Sequence, residues 1–427
     1  MRRGMWGAAV LVLILILGAA VFLAACGGGT TTTTAAPTET TAAPTETTAA
    51  PETTVPVSTE PILIGQAVSL TGVSAAPAGA IVAASQEEVA FINANGGILG
   101  RQIKLIVEDD KSDVNGAVAA MTKLIEQDKV SAVIGPFPQF VESAARAVAE
   151  KAGVPNVLYI PPTLASLKDT SFKWTFLSTA GPDALADAEL LLLQAEGYKN
   201  VLGIADGLSI HQETLTLLKA STPAAGITLT VLPDTWNLDE QDIGPIVAKI
   251  AAAAKKTNCD AIMVLSNPIH APGIQKGLRA LGVEQQIIGS PAATSPAMFM
   301  QGPSDANGML AIGPGIVNAP VLPEGYPGKP EMVAFNERFK AATGQPADFY
   351  AGFGYDALYI VTNAMTAAGS TDPAAVRDAI EATTGWQGMQ GIFNYSPTDH
   401  VGIHGGFSEW RIKDGSFEFI RDLNAGK

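Results

Sequence analysis

The chain has 427 residues, of which 47% are hydrophobic and 16% charged, and its net charge at pH 7 is −15. That length exceeds one ordinary domain, and that apolar content supports a sizeable core, so general disorder is excluded. The acidity opposes a phosphate backbone, and no basic patch is interleaved with aromatics, which excludes nucleic acid as a partner.

Arg2 and Arg3 precede an apolar run from Ala8 to Leu17 that continues to Leu23 and stops at Leu23-Ala24-Ala25-Cys26. A charged start, an apolar middle and a small-residue site describe a secretory signal. Leucine, two small residues and cysteine in this order resemble the bacterial lipobox, which implies cleavage before Cys26 and a diacylglyceryl thioether on it. Residues 1–25 are therefore expected to be a signal peptide, with an uncleaved membrane-spanning helix as the alternative.

Residues 26–60 hold three glycines and then Thr, Ala, Pro and Glu, with AAPTETT at Ala35–Thr41 and again at Ala42–Thr48. So few apolar side chains cannot offset the entropy of ordering, and the segment reads as an extended, disordered stalk. The mature chain then keeps one unpaired thiol, Cys259, which stands just before the apolar run Ala261–Leu265. It reads as a small buried residue at a strand start, with no activating partner for catalysis.

From Ile62 the pattern changes. Apolar runs rich in Val and Ile alternate with helix-period segments: Ile62–Val68, Ile81–Asn95, Ile103–Glu108, Val114–Gln127, Val130–Ile134 and Val141–Ala152. The alternation resumes with Ala184–Glu196, Val201–Ala205, Ser209–Ser221, Ile227–Leu232, Ile243–Ala254, Ala261–Leu265, Ile274–Leu281 and Ile287–Gly289. This is βαβ alternation, too long for one compact sheet, and it predicts two parallel-sheet lobes of the α/β class. Helices follow at Glu331–Ala342, Tyr350–Ala368 and Pro373–Ala382, then strands Gly406–Ile412 and Phe417–Ile420 around a Lys413-Asp414-Gly415-Ser416 hairpin turn. Asp109 and Asp110 end a strand and are expected to be solvated acids that cap the next helix.

Phe91-Ile92-Asn93-Ala94-Asn95-Gly96-Gly97-Ile98-Leu99-Gly100-Arg101, Glu108-Asp109-Asp110, Val133-Ile134-Gly135-Pro136, Ala152-Gly153-Val154-Pro155, Gly354-Tyr355-Asp356-Ala357 and Trp410-Arg411-Ile412-Lys413-Asp414-Gly415 stand in an order similar to the leucine/isoleucine/valine-binding proteins of ABC transporters. The resemblance spans about Pro61 to Ile420. It implies two doubly wound parallel-sheet lobes joined by a three-crossover hinge, as in type I periplasmic binding proteins, with one lobe at 62–177 plus 315–403 and the other at 178–314 plus 404–427. It further implies a monomer without cofactor that binds a small-molecule ligand, a branched-chain amino acid or related apolar carboxylate. The partners implied are ABC permease subunits and, through Cys26, the outer face of a membrane. A sensor module reporting to a membrane receptor would carry the same lobe features.

In that family the ligand carboxylate rests at loops that open two helices of the first lobe, where unpaired N–H groups suit anions. The first such loop here holds Phe137, Gln139 and Phe140, and the second holds Pro161 and Thr163. The resemblance places Ile210 and His211 after one strand of the second lobe, Asn267 after another and Pro291 after a third, with Tyr350 as an aromatic wall. An acid that would pair a ligand ammonium is replaced by Pro291. No phosphate-loop, nucleophile-elbow or C-x-x-C pattern occurs in the body, so no catalytic residue is expected. His400 and His404 have metal-ligand spacing, but Gly402, Gly405 and Gly406 favour a loop, and no metal site is expected.

Overall fold

The computed structural model describes residues 59–161, 163–167, 169, 172–300 and 302–423. The signal, Cys26 and nearly all of the stalk lie outside the described residues, as does Pro162.

Sheet one is built from β1 (Ile62–Val68), β2 (Ile103–Asp109), β3 (Ala132–Ile134), β4 (Asn156–Leu158) and β5 (Thr175–Leu177), ordered β2-β1-β3-β4-β5 and parallel throughout. Its helices are α1 (Ala75–Ala94), α2 (Val114–Thr122) with a π-turn at Lys123–Gln127, α3 (Gln139–Ala152) and the short α4 (Leu164–Leu167). Buried Ile62, Ile64 and Ile134 fill the space under these helices. Near-continuous apolar strands of this kind are what a sheet covered on both faces requires.

The chain then enters sheet two through α5 (Pro182–Glu196), β6 (Asn200–Ala205), α6 (Ser209–Ser221), β7 (Thr228–Val231), α7 (Gly244–Thr257), β8 (Ala261–Leu265), α8 (His270–Ala280), β9 (Gln286–Gly289) and β10 (Leu310–Gly313). It returns through α9 (Lys329–Thr343), α10 (Phe349–Ala368) and α11 (Pro373–Glu381), with α10 packed on α1, β3 and β4. A small ladder of β11 (Trp386–Gln387) and β12 (Ile392–Phe393) follows. The hairpin β13 (Ser408–Lys413) and β14 (Ser416–Asp422) then completes sheet two in the order β14-β13-β10-β9-β8-β6-β7. Three passages of chain therefore link the two lobes.

Local chemistry accounts for the punctuation. Asp414 and Gly415 both have positive φ, 50° and 75°, which matches the two-residue hairpin between β13 and β14. Asn258 ends α7 in the left-handed region and delivers Cys259 into the core, 5% exposed, where burial pushes its thiol pKa up. Asp372 caps α11 through Ala374 and Ala375 N–H, with Pro373 at its first position.

Some expectations are corrected. Helix α1 starts at Ala75 rather than Ile81. The acid that caps α2 is Asp113, through Gly116 N–H at 2.9 Å. Asp109 instead accepts from Leu70, Thr71 and Lys111, and Asp110 is fully buried with Ser69 Oγ at 2.5 Å. Both acids thus tie the β1 and β2 loops together.

Candidate ligand-binding site

Open α/β sheets place ligand crevices beyond the carboxyl ends of their strands. Here the loops after β3 and β4 of one lobe approach those after β6, β8 and β9 of the other, and between them lies an inner cavity of about 80 Å³. Lobe one contributes Pro161 and the first turns of α10, lobe two contributes Ile210, His211, Asn267 and Pro291, and the passages between lobes contribute Thr179 and Phe407.

The aromatic wall follows from helical spacing. Phe349, Tyr350 and Phe353 fall on one face of α10, and Asp348 holds that helix start by accepting Ala351 N–H at 2.8 Å. Phe137, 3% exposed, does not line the cavity but stands edge-on behind Tyr350, with centroids 6.0 Å apart. Burial holds the Tyr350 phenol protonated.

The polar end belongs to lobe two. Asp206, fully buried at the end of β6, accepts Leu208 N–H at 3.1 Å, Asn267 N–H at 2.9 Å and His211 Nδ1–H at 2.7 Å. A carboxylate here can only accept, so the imidazole keeps a proton on Nδ1. Its Nε2 has no hydrogen-bond partner among the described residues, while the ring lines the cavity. Asn267 also lines it, yet its side-chain oxygen is engaged by Ile269 and His270 N–H at the start of α8.

Gln139 divides the cleft. Its Nε2 donates to Pro161 O at 2.7 Å, and its Oε1 accepts Ile210 N–H at 3.3 Å from the other lobe. Outside this bar is a pocket of about 250 Å³ lined by Gln139, Phe140, Thr163 and Ser209, with Phe140 43% exposed. Phe140 and Thr163 therefore flank an outer vestibule, and Thr163 Oγ1 accepts Ser166 N–H in the first turn of α4. Of the ten positions named from sequence, Pro161, Ile210, His211, Asn267, Pro291 and Tyr350 meet at the inner cavity, and Gln139, Phe140 and Thr163 at the outer pocket.

Sequence reasoning missed Phe349 and Phe353, which the aromatic spacing around Tyr350 signals. It also missed Leu185 on α5, and Thr179 and Phe407, which come from the passages between lobes and carry no local signal. A third cavity of about 360 Å³ lies beside β5 and is lined by charged groups such as Arg146, Lys173, Glu381 and His400. His400 and His404 lie in a loop and pair separately, with Glu381 at 3.2 Å and Asp399 at 2.6 Å. Among the described residues no three metal-ligating groups converge.

Comparison with known proteins agrees with this architecture. The family model described as periplasmic binding protein matches residues 61–408. The Leu/Ile/Val-binding protein homolog 2 of Brucella abortus is 24% identical over 367 residues, covering 84% of this chain and 93% of that protein. An amino acid binding protein of Pseudomonas aeruginosa is 25% identical over 75% of this chain and 82% of its own length. Among solved structures, an extracellular ligand-binding receptor from Rhodopseudomonas palustris HaA2 superposes with a TM-score of 0.73 at 25% identity, covering 84% of this chain and 99% of that one. The branched-chain amino acid transporter substrate binding protein LivJ from Streptococcus pneumoniae, in complex with isoleucine, gives 0.72 at 23% identity over 84% and 99% of the chains. With a family match running from the first strand of sheet one to the hairpin that completes sheet two, and the same two-lobed fold in these structures, the chain belongs to the periplasmic binding protein family.

Proposed function

We propose that this chain is the solute-binding component of an ABC importer, which closes two lobes on a branched-chain amino acid or a related small apolar carboxylate and presents it to permease subunits. The observation that carries the reading is an apolar cavity walled by both lobes at the carboxyl ends of their strands. Lobe limits at 62–177 plus 315–403 and 178–314 plus 404–427 are part of the proposal, supported by the division of strands between the sheets. The ligand class is supported by the relatives, one of which holds isoleucine. Ligand that touches both lobes stabilises the closed state by its differential affinity for that state.

The proposal includes export, acylation of Cys26 and a stalk that spaces the lobes from the outer face of the membrane. Two or more acyl chains, at about 0.8 kcal/mol per buried methylene, hold a protein stably at a bilayer. Cys26→Ala is expected to abolish acylation and release the protein from the membrane fraction; a variant that stays acylated there refutes the anchor. For binding, thermal melts against a panel of amino acids and carboxylates are the test. A ligand at a hundredfold excess over its dissociation constant raises stability by about 2.7 kcal/mol, and a panel without any such rise counts against the reading.

A further inference from the structure

We infer that the inner cavity is built for a monocarboxylate without an ammonium group, a branched or aromatic carboxylic or 2-oxo acid, anchored on the His211 imidazole that Asp206 holds in place. This rests on reading the cleft as the ligand site.

A zwitterion brings two charges, and each needs a partner once water is excluded. No Asp, Glu, Lys or Arg is among the described residues that line the inner cavity. The nearby acids are already engaged. Asp206 accepts three hydrogen bonds. Asp348 accepts Ala351 N–H at 2.8 Å and Ser295 Oγ–H at 3.0 Å, and Glu213 accepts Leu164 N–H at 2.7 Å. An ammonium would meet only neutral acceptors, and its desolvation would rival the whole affinity of a micromolar complex.

The groups left with hydrogen-bonding capacity are His211 Nε2, the Tyr350 hydroxyl and the Thr179 hydroxyl, none of which has a hydrogen-bond partner among the described residues. All three can donate to one carboxylate, His211 once its second nitrogen is protonated. A ligand carboxylate at Nε2 and Asp206 at Nδ1 would flank the ring. Tyr350 is the one other titratable side chain among the described residues that line the cavity, and no lysine or arginine there competes for the ligand. A carboxylate can use all three groups as donors, whereas an ammonium would need each of them as a neutral acceptor.

Calorimetry on the full chain reads the difference. Leucine, its 2-oxo counterpart and benzoate are titrated into the parent protein and into the His211→Gln and Tyr350→Phe variants. The 2-oxo acid is expected to bind at least tenfold tighter than leucine. His211→Gln is expected to weaken it at least thirtyfold. Tyr350→Phe, which keeps the ring packing, is expected to weaken it about fivefold. Leucine binding as tightly as the 2-oxo acid, or 2-oxo acid binding unchanged in His211→Gln, overturns the inference and leaves a solute-binding cleft standing. No binding by any of the three overturns both.

Discussion

Each lobe supplies a hydrogen-bond acceptor to the start of a helix on the other. Gln139 of lobe one accepts Ile210 N–H in the first turn of α6, and Glu213 of lobe two accepts Leu164 N–H at the start of α4. Leu208 precedes α6 without a side-chain acceptor, and the hydroxyl that caps α4, Thr163 Oγ1, serves Ser166 N–H and leaves Leu164 N–H to Glu213. In an open form both N–H groups would turn to water, so the relevant quantity is the net gain on closure. A neutral hydrogen bond contributes about 1 kcal/mol net and one to a charged group about 1.5–3 kcal/mol. The first is long, at 3.3 Å, and the second short, at 2.7 Å. Gln139→Ala is therefore expected to shift the balance toward the open form by about fivefold and Glu213→Ala by about tenfold, with the double variant of order fiftyfold if the two act independently. Apparent affinity scales with the fraction competent to close, so ligand binding should weaken by up to these factors. Small-angle scattering of the unliganded proteins gives the lobe separation, and calorimetry gives the affinity. A double variant that scatters like the parent and binds within twofold of it would refute the cross-lobe capping argument.

Burial, and then the neighbouring Glu88, push the pKa of Glu87 up to about 8 from 4.5, against the opposing pull of Arg338. A folded pKa above the unfolded one means that the native state holds the extra proton, so stability falls as pH rises between 4.5 and 8. Glu87→Gln should flatten that fall, adding roughly 1–2 kcal/mol at pH 9 and little at pH 4, as read by urea denaturation; an unchanged slope would refute it. Arg338 bonds the fully buried Glu88 and lies 4.0 Å over the Phe91 ring. Arg338→Met is expected to cost about 3–5 kcal/mol, because the buried Glu88 loses its cation and keeps the neutral Tyr359 hydroxyl and the neighbouring Glu87; a loss under about 1 kcal/mol in the same denaturation assay would refute the pairing.

Much of the fold was legible because long apolar strands and amphipathic helices repeat their pattern enough times to be read. Ile62–Val68, Ser209–Ser221 and Ala261–Leu265 form the elements their periodicity predicts. Strands β4 and β5, three residues each, and β10 escaped because so short a stretch holds no alternation to count. The same limit applies to the site. Loops at strand ends can be located by a rule of α/β topology, and the family resemblance is what singled out His211 and Pro291 within them. The partner that orders each loop cannot be located in that way. Gln139 reads as a ligand-binding side chain at a helix start, and its bond to Ile210, distant in sequence, also ties it across the lobes. Asp206 gave no sign of holding His211, because the geometry that joins them comes from the turn between β6 and α6.

The division of chemistry between the lobes bears on how a ligand could drive closure. The loop after β3 carries Pro136 and Pro138, which have no N–H to offer an anion, and the side chain of Gln139 is engaged on both of its polar atoms. Lobe one presents an apolar wall, Phe349, Tyr350 and Phe353, whose polar group is the Tyr350 hydroxyl, and lobe two holds His211 with Asp206 behind it. A small ligand that docks on either lobe alone makes only part of its contacts: a desolvated polar end without a wall, or an apolar body held at its polar end by a single hydroxyl. Only the closed form satisfies both. A ligand can shift an equilibrium by no more than its difference in affinity for the two states, and separating the two kinds of contact onto opposite lobes makes that difference large for an amphipathic molecule. A purely apolar compound, or a purely polar one, would gain little from closure and would leave the lobes where it found them.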